Sequence, residues 1–477
     1  MRCLPLLGPC RPDDPVQFLG FGGHNATLVL AGPSKPYLIG MQMIKGRPGL
    51  PEGLGEARET PSEELHDRES EEYLRLTRQH FSPGLALGQK MTGRGAVETY
   101  ASGAEVRLSD GRVMLDFGSY AVTLVGHRHP DVVRAVRHQL DQMPTSTRVL
   151  ANPATAALGG RLVGLLQPSR FTRVWLGLNG SDVVEVALKL ARVQTGRGRV
   201  LAVEGGFHGK TLGALAATWD SRYRRGVEYL LPPVTHLPPN DPTAVRREAA
   251  ASDVAALLFE PIQAEGGVRP LFLDTLRAWV ADARAAGVFI VADEIQVGLR
   301  RCGPTSLAVA SGLDPDAVLL GKHLGGGVMP LSAMVCTDKL YEPLLSDPFW
   351  HTSTFSGHPL SCAAALASLD VIESLVKRGR EVSDRMSSAL AELADRHADC
   401  IVALRGLGLL WGLELAPEFA GRILVELTQR GLLISPCLGR PEVLRLLPPM
   451  VTSDTQVDGA ARILDAACRA SKDSGGR

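Results

Sequence analysis

Three apolar runs in this chain each end in an ionisable residue. Val254–Phe259 delivers Glu260-Pro261, Val288–Ala292 delivers Asp293-Glu294, and Ala317–Leu320 delivers Gly321-Lys322. Together they suggest one site that holds an acid, a second acid and a lysine. Such a set is suited to proton transfer and to covalent catalysis through an amine.

The elements that must position these groups follow from the runs themselves. A continuous apolar stretch of this length, bounded by glycine, suits a strand covered on both faces of a parallel sheet. A charged residue at its C-terminal end then lies where open α/β sheets bind ligands. An α/β fold is therefore expected. At 477 residues the chain is long enough for a large core and two or more lobes.

Composition excludes several classes of partner. Hydrophobic content of 45% and charged content of 21% are ordinary for a soluble globular protein. Lys+Arg and Asp+Glu both number 51, so no basic excess favours nucleic acid or an anionic membrane. The eight cysteines are scattered without a C-x-x-C pair, which favours reduced thiols in the cytoplasm over a disulfide framework or a zinc site. The opening Met1–Leu7 resembles a signal peptide only superficially, because its apolar run is short and broken by Pro5. No segment approaches the roughly 18–20 apolar residues of a spanning helix.

Residues 1–60 are rich in Gly and Pro and read as an atypical extension. Within them, Phe18–Leu30 resembles the closing strand of β-ketoacyl synthases, or is simply a glycine-rich turn before a strand. Thr60-Pro61-Ser62-Glu63 predicts a helix start, with the helix running to about His80 and stopping at Ser82-Pro83-Gly84. Ser109-Asp110-Gly111-Arg112 is a hairpin signal. His127 and His129 lack a third ligand nearby, so no metal is assigned to them.

Two glycine-rich stretches could hold a ligand. Asn179-Gly180-Ser181-Asp182 opens a helix over Val183–Arg192, and reads either as an anion cradle or as an ordinary N-cap. In Gly205-Gly206-Phe207-His208-Gly209 the ring of Phe207 is either free to stack on a flat cofactor or part of the core. Neither stretch is the G-x-G-x-x-G of dinucleotide sites, which argues against a nicotinamide dehydrogenase.

The order of these motifs is specific. Gly180-Ser181, Phe207-His208-Gly209, Glu260-Pro261-Ile262-Gln263, Asp293-Glu294-Ile295-Gln296, Gly321-Lys322 and Thr354-Phe355-Ser356-Gly357 resemble the class III (ω-type) aminotransferases. Those are fold-type I enzymes dependent on pyridoxal 5'-phosphate. The likeness runs from about Phe81 to the C-terminus and looks closest to the putrescine/ornithine branch. It implies that Lys322 forms the Schiff base with the cofactor aldehyde and shuttles the proton. It further implies that Asp293 pairs with the pyridine nitrogen, Gln296 bonds the phenolic oxygen, and Phe207 stacks on the ring beside His208. Gly180 and Ser181 would hold the phosphate.

Thr354 would reach the phosphate of a neighbouring subunit, which implies a homodimer with composite sites. Tyr120 and Glu260 would form pocket walls. Glu265 and Arg445 match a gating ion pair of ornithine-type relatives, or form an ordinary buried salt bridge. The organisation implied is an N-terminal contribution to a small domain over 61–125, a large cofactor-binding domain over 126–372 and a small C-terminal domain over 373–477.

The chain departs from the family pattern at Asn179, Asp182, Val297, His358 and Arg300-Arg301-Cys302-Gly303. These departures spare Lys322, Asp293 and Gln296, and bear on substrate rather than on the catalytic groups. The expected activity moves an amino group between a terminal amine or diamine and a 2-oxo acid or aldehyde, in ping-pong order. Two other readings are amination of a polyketide-derived aldehyde, prompted by Phe18–Leu30, and a non-catalytic relative that only binds.

Overall fold

In the computed structural model, which describes residues 63–473, seven strands form the central sheet. In spatial order they are Arg173–Gly177, Ser332–Cys336, Ala317–Leu320, Phe289–Asp293, Val254–Phe259, Arg199–Val203 and Val234–Leu237. Ser332–Cys336 runs antiparallel to both its neighbours, and the remaining pairings are parallel.

The three runs that end in ionisable residues are adjacent strands. Ala292 pairs with Phe259 on one side and with Val318 on the other, so their C-terminal ends are level. Period-two alternation sends their side chains to different cores. Leu257, Phe259, Ile290, Ala292, Val318 and Leu320 enter one apolar cluster. Leu258, Phe289, Val291, Ala317 and Leu319 enter the other. Each fully buried leucine, isoleucine or phenylalanine contributes about 1.5–3 kcal/mol, so the strand ends are held firmly in depth and register. Sheet and register therefore deliver Glu260, Asp293 and Lys322 to one edge.

Two four-stranded sheets and one two-stranded ribbon accompany this one among the described residues. Ile401–Leu407, Leu410–Leu415, Arg440–Leu446 and Ser435–Cys437 form an antiparallel sheet. Glu98–Ser102, Glu105–Leu108 and Val113–Asp116 form a meander, which Leu432–Leu433 extends in parallel. Its turn is the expected one at Ser109–Arg112: Leu108 N–H donates to the Arg112 carbonyl at 2.9 Å and Arg112 N–H to Asp110 Oδ1 at 3.1 Å.

Ser82-Pro83-Gly84 ends the first helix as expected and also opens another. Helix Glu63–His80 does end there, but a second helix, Pro83–Gly93, begins at once. Ser82 Oγ accepts from Leu85 N–H, and proline at the first helical position has no N–H to leave unpaired. The expected cap of the first helix and the Phe18–Leu30 run lie outside the described residues. No single described helix is long and apolar enough to cross a membrane.

Candidate active site

The sheet edge opens into a cavity of about 190 Å³ lined by Gly180, Ser181, Phe207, His208, Glu260, Glu265, Asp293, Gln296 and Lys322, with Asn179, Gly209 and Ile295. Nine of the twelve residues singled out in the sequence are thereby brought together. Arg445 stands behind them and enters through its ion pair with Glu265.

Lys322 follows the strand Ala317–Leu320 with φ of +46°, a left-handed conformation that is unfavourable for a side chain with a Cβ. Its Nζ donates to Gln296 Oε1. Burial pulls the ammonium down to about pKa 8, against the opposing pull of Glu265, Glu260 and Asp293, and with help from Arg445. A lysine so shifted carries far more free amine near neutrality than an exposed one, which is the state that attacks a carbonyl.

Asp293 is 5% exposed. Its Oδ2 meets His208 Nδ1 at 2.7 Å and its Oδ1 accepts from Ile295 N–H at 3.2 Å. Burial disfavours the His208 imidazolium, yet the carboxylates of Asp293 and Glu260 hold its pKa above the ordinary value. Glu260 accepts from Phe207 N–H at 2.8 Å, and burial lifts its carboxyl to about 7. Its bond to the backbone of Phe207 fixes that loop to the sheet.

Asn179, Gly180 and Ser181 form the mouth of helix Gly180–Thr195. Asn179 caps the helix through Asp182 N–H while the Asp182 carboxylate accepts from Asn179 N–H, a reciprocal capping box. A Cβ on Gly180 would meet Ile295 Cδ1 at 3.0 Å, and one on Gly209 would lie 2.2 Å from Ser181 Oγ. These glycines keep the helix mouth open to an anion.

Glu265 and Arg445 are nearly fully buried and form a direct ion pair. Burial alone would raise the Glu265 carboxyl, but the charges of Arg445 and Lys322 prevail and lower it. Its Oε2 also accepts from Leu438 N–H at 2.9 Å. Arg445→Met would strand the carboxylate. The expected loss is about 3–5 kcal/mol of unfolding free energy, read by urea denaturation of the cofactor-free protein. A loss below about 1 kcal/mol would mean that the pair is solvated and weak.

Two residues lie elsewhere. Tyr120 sits on the one-turn helix Ser119–Ala121, 79% exposed and outside the cavity lining. Thr354 is exposed and lines a separate cavity of about 500 Å³ with Arg148, whose Nη1 donates to the Thr354 carbonyl at 3.2 Å. His127 pairs with Asp116 at 2.7 Å and His129 approaches Asp131 at 3.9 Å, so these histidines answer to separate carboxylates.

Sequence reasoning did not single out Asn179, Gly209 and Ile295 as lining residues. It also missed the brace behind the Phe207 loop, where Gln263 Nε2 donates to the Glu204 carbonyl at 2.8 Å and Arg269 Nη2 at 3.0 Å. The Glu260-to-Gln263 spacing was the available signal. A wider cavity of about 680 Å³ shares Phe207 and Glu265 with the first and adds Glu204, Asp220, Arg269, Arg440 and Glu442.

Two buried polar atoms at the site lack hydrogen-bond partners, Gln296 Nε2 and His208 Nε2. Such atoms cost about 1–3 kcal/mol each unless a ligand completes them. With an anion cradle at one end, a carboxylate at the other and a depressed lysine between, the donor set fits a flat, phosphorylated aldehyde cofactor.

Comparison with known proteins agrees with that chemistry. The profile described as Aminotransferase class-III matches residues 90–468. A putrescine aminotransferase of Pectobacterium atrosepticum is 36% identical over 415 residues, which span 83% of this chain and 88% of that protein. Among solved structures, an ornithine aminotransferase from Toxoplasma gondii ME49 aligns with a TM-score of 0.78 at 27% identity, over 87% of this chain and 100% of that one. A PLP-bound amine transaminase from an uncultivated Pseudomonas species aligns at 0.72 and 27% identity, over 79% and 95%. The chain belongs to the class III aminotransferases, and it is a pyridoxal-phosphate-dependent transaminase of fold type I that moves an amino group between an amine and a carbonyl acceptor.

Proposed function

We propose that this transaminase takes a terminal diamine or ω-amine as donor and a 2-oxo acid or aldehyde as acceptor. The observation that carries the reading is the pair of neighbouring cavities that share Phe207 and Glu265 in their walls. The small one holds the reactive lysine, and the wider one adds Glu204, while its Asp220 and Glu442 already pair with Arg222 and Arg440. A second ammonium, several methylenes from the reacting amine, would find the Glu204 carboxylate there. The likeness to a putrescine aminotransferase supports the same substrate class.

Pyridoxal phosphate, when bound, supplies an aldehyde that carries the amino group and a ring that accepts electrons. The chain's own residues do the rest. Gly180 and Ser181 would hold the phosphate at the helix mouth, Phe207 would cover the ring, and Gln296 Nε2 would supply a donor for its phenolic oxygen. Asp293, oriented by His208, would pair with the pyridine nitrogen. Lys322 would hold the aldehyde, and its amine would serve as the base that moves the proton of the substrate's amine-bearing carbon. The ion pair of Glu265 and Arg445 parts to free the guanidinium for the carboxylate of an oxo acid.

Thr354 is exposed in one chain and stands clear of its cavity, which suits a residue that serves a neighbouring subunit in a homodimer. The dispersed cysteines, six of them buried and free, fit a reducing cytoplasm.

Adding putrescine to the cofactor-loaded protein is expected to discharge the visible band of the lysine-linked cofactor, with a stoichiometric aldehyde product. A band that putrescine leaves intact but a long-chain monoamine discharges would reject the diamine reading in favour of aldehyde tailoring.

A further inference from the structure

Three residues that line none of these cavities form a second chemical cluster. Helix Val376–Arg396 closes at His397, and strand Ile401–Leu407 starts four residues later. The turn between them is tight, with Cys400 N–H donating to the His397 carbonyl at 2.9 Å and Ile401 N–H at 2.8 Å. Helix Asp454–Asp473 brings Cys468 alongside. A ring nitrogen of His397 and the sulfurs of Cys400 and Cys468 all lie within 4.8 Å of one another, and the three side chains are buried.

The state of the imidazole is the second, independent observation. His397 is 3% exposed, and its Nε2 meets Asp465 Oδ1 at 2.9 Å. Asp465 is itself held by Arg396 and Arg469, so it stays a carboxylate and accepts the Nε2 proton. That leaves Nδ1 as the buried ring atom without a hydrogen-bond partner, open to a ligand. A histidine oriented through its far nitrogen by a carboxylate is how metal-ligating imidazoles are usually prepared.

We propose that His397 Nδ1, Cys400 Sγ and Cys468 Sγ bind a thiophilic d¹⁰ cation, with zinc(II) as the natural occupant and water in the fourth position. Two sulfurs and an imidazole favour zinc, while magnesium and calcium demand oxygen ligands. Zinc–sulfur bonds of about 2.3 Å in a tetrahedron bring ligand atoms to roughly 3.5–3.8 Å, so the trio closes by no more than about 1 Å on binding. Zinc(II) displaces one proton from each thiol to solvent as the two Zn–S bonds form. Rim groups Arg396, Asp399 and Arg469 are more than half exposed, which leaves a short path for the ion. The bound ion would rivet the last helix to the start of the antiparallel sheet.

The test uses the cofactor-loaded enzyme, stripped with a chelator and then equilibrated with zinc. Elemental mass spectrometry should find one zinc per chain, and the zinc K-edge X-ray absorption should show two sulfurs and one nitrogen. Asp465→Asn should weaken zinc affinity about 10- to 100-fold, while Cys362→Ser leaves it unchanged. Cys468→Ala should abolish binding. Should that variant fail to fold, the wild-type absorption edge and Asp465→Asn still decide. Zinc without sulfur in its shell, zinc retained fully by Asp465→Asn, or a Cys400–Cys468 disulfide in place of the metal would each overturn the proposal.

Discussion

Lys322→Met should abolish the visible band of the lysine-linked cofactor, lower kcat by at least about 10³-fold, and yet stabilise the cofactor-free protein at neutral pH. The loss of activity follows from removing the one amine in the cavity. The gain in stability follows from the sign of its shift. Burial lowers the folded pKa of Lys322 from 10.5 to about 8. Between those values the unfolded chain holds a proton that the native protein lacks, so the wild type gains stability as pH rises through the window. Below about pH 8 the native site carries the buried ammonium at its full cost, of order 2–3 kcal/mol. Methionine keeps the length of the stem and removes that cost. Denaturation at neutral pH should therefore favour the variant, and the difference should vanish above pH 10.5. A variant less stable than wild type at neutral pH would show that the acids around Lys322 need its charge more than burial opposes it.

Asp293→Asn is expected to lower kcat about 10²–10³-fold while the protein still folds. Asparagine keeps the shape of the side chain, and its carbonyl oxygen can still accept from Ile295 N–H. What disappears is the negative charge facing the cofactor ring and His208. The pKa of His208, now held up by Asp293, should fall, and proton NMR of its ring reads this directly. Cofactor should dissociate faster in the same variant. Turnover within tenfold of wild type, with His208 titrating as before, would remove Asp293 from the mechanism.

The core of the site was legible because strand periodicity and strand termination are local signals. Glu260, Asp293 and Lys322 could be placed at one sheet edge from three apolar runs. Glu294 shows where that reading stops. It adjoins Asp293, but successive side chains on a strand point to opposite faces. Its carboxylate instead accepts from Ser306 Oγ at 2.5 Å, Leu307 N–H at 2.7 Å and Ala308 N–H at 2.9 Å, and so holds a neighbouring helix start.

Contacts between distant segments were not legible in this way. Nothing local in Glu265 or Arg445 announces their pairing, and family resemblance rather than pattern supplied it. Ser82-Pro83-Gly84 stops one helix as expected, but the helix it opens went unseen because one proline signals both an end and a first turn. Tyr120, put in the pocket wall by family resemblance, lies outside the cavity lining, and no local pattern marks its position.

The reversed strand Ser332–Cys336 has a consequence for anyone redesigning this enzyme. Parallel neighbours need a long crossover, but an antiparallel one can return at the same edge. The segment that carries Lys322 is therefore a short bridge, with Leu320 and Ala333 already paired across it. Its far end is tied down as well, because Ser332 Oγ donates to the Asn179 carbonyl at 2.7 Å. Insertions or randomised libraries in that bridge would disturb the nucleophile and the anion cradle at a stroke. The borders of the wider cavity, near Glu204 and Arg440–Glu442, belong to other segments. Variation there can retune which amines enter while the reactive centre keeps its geometry.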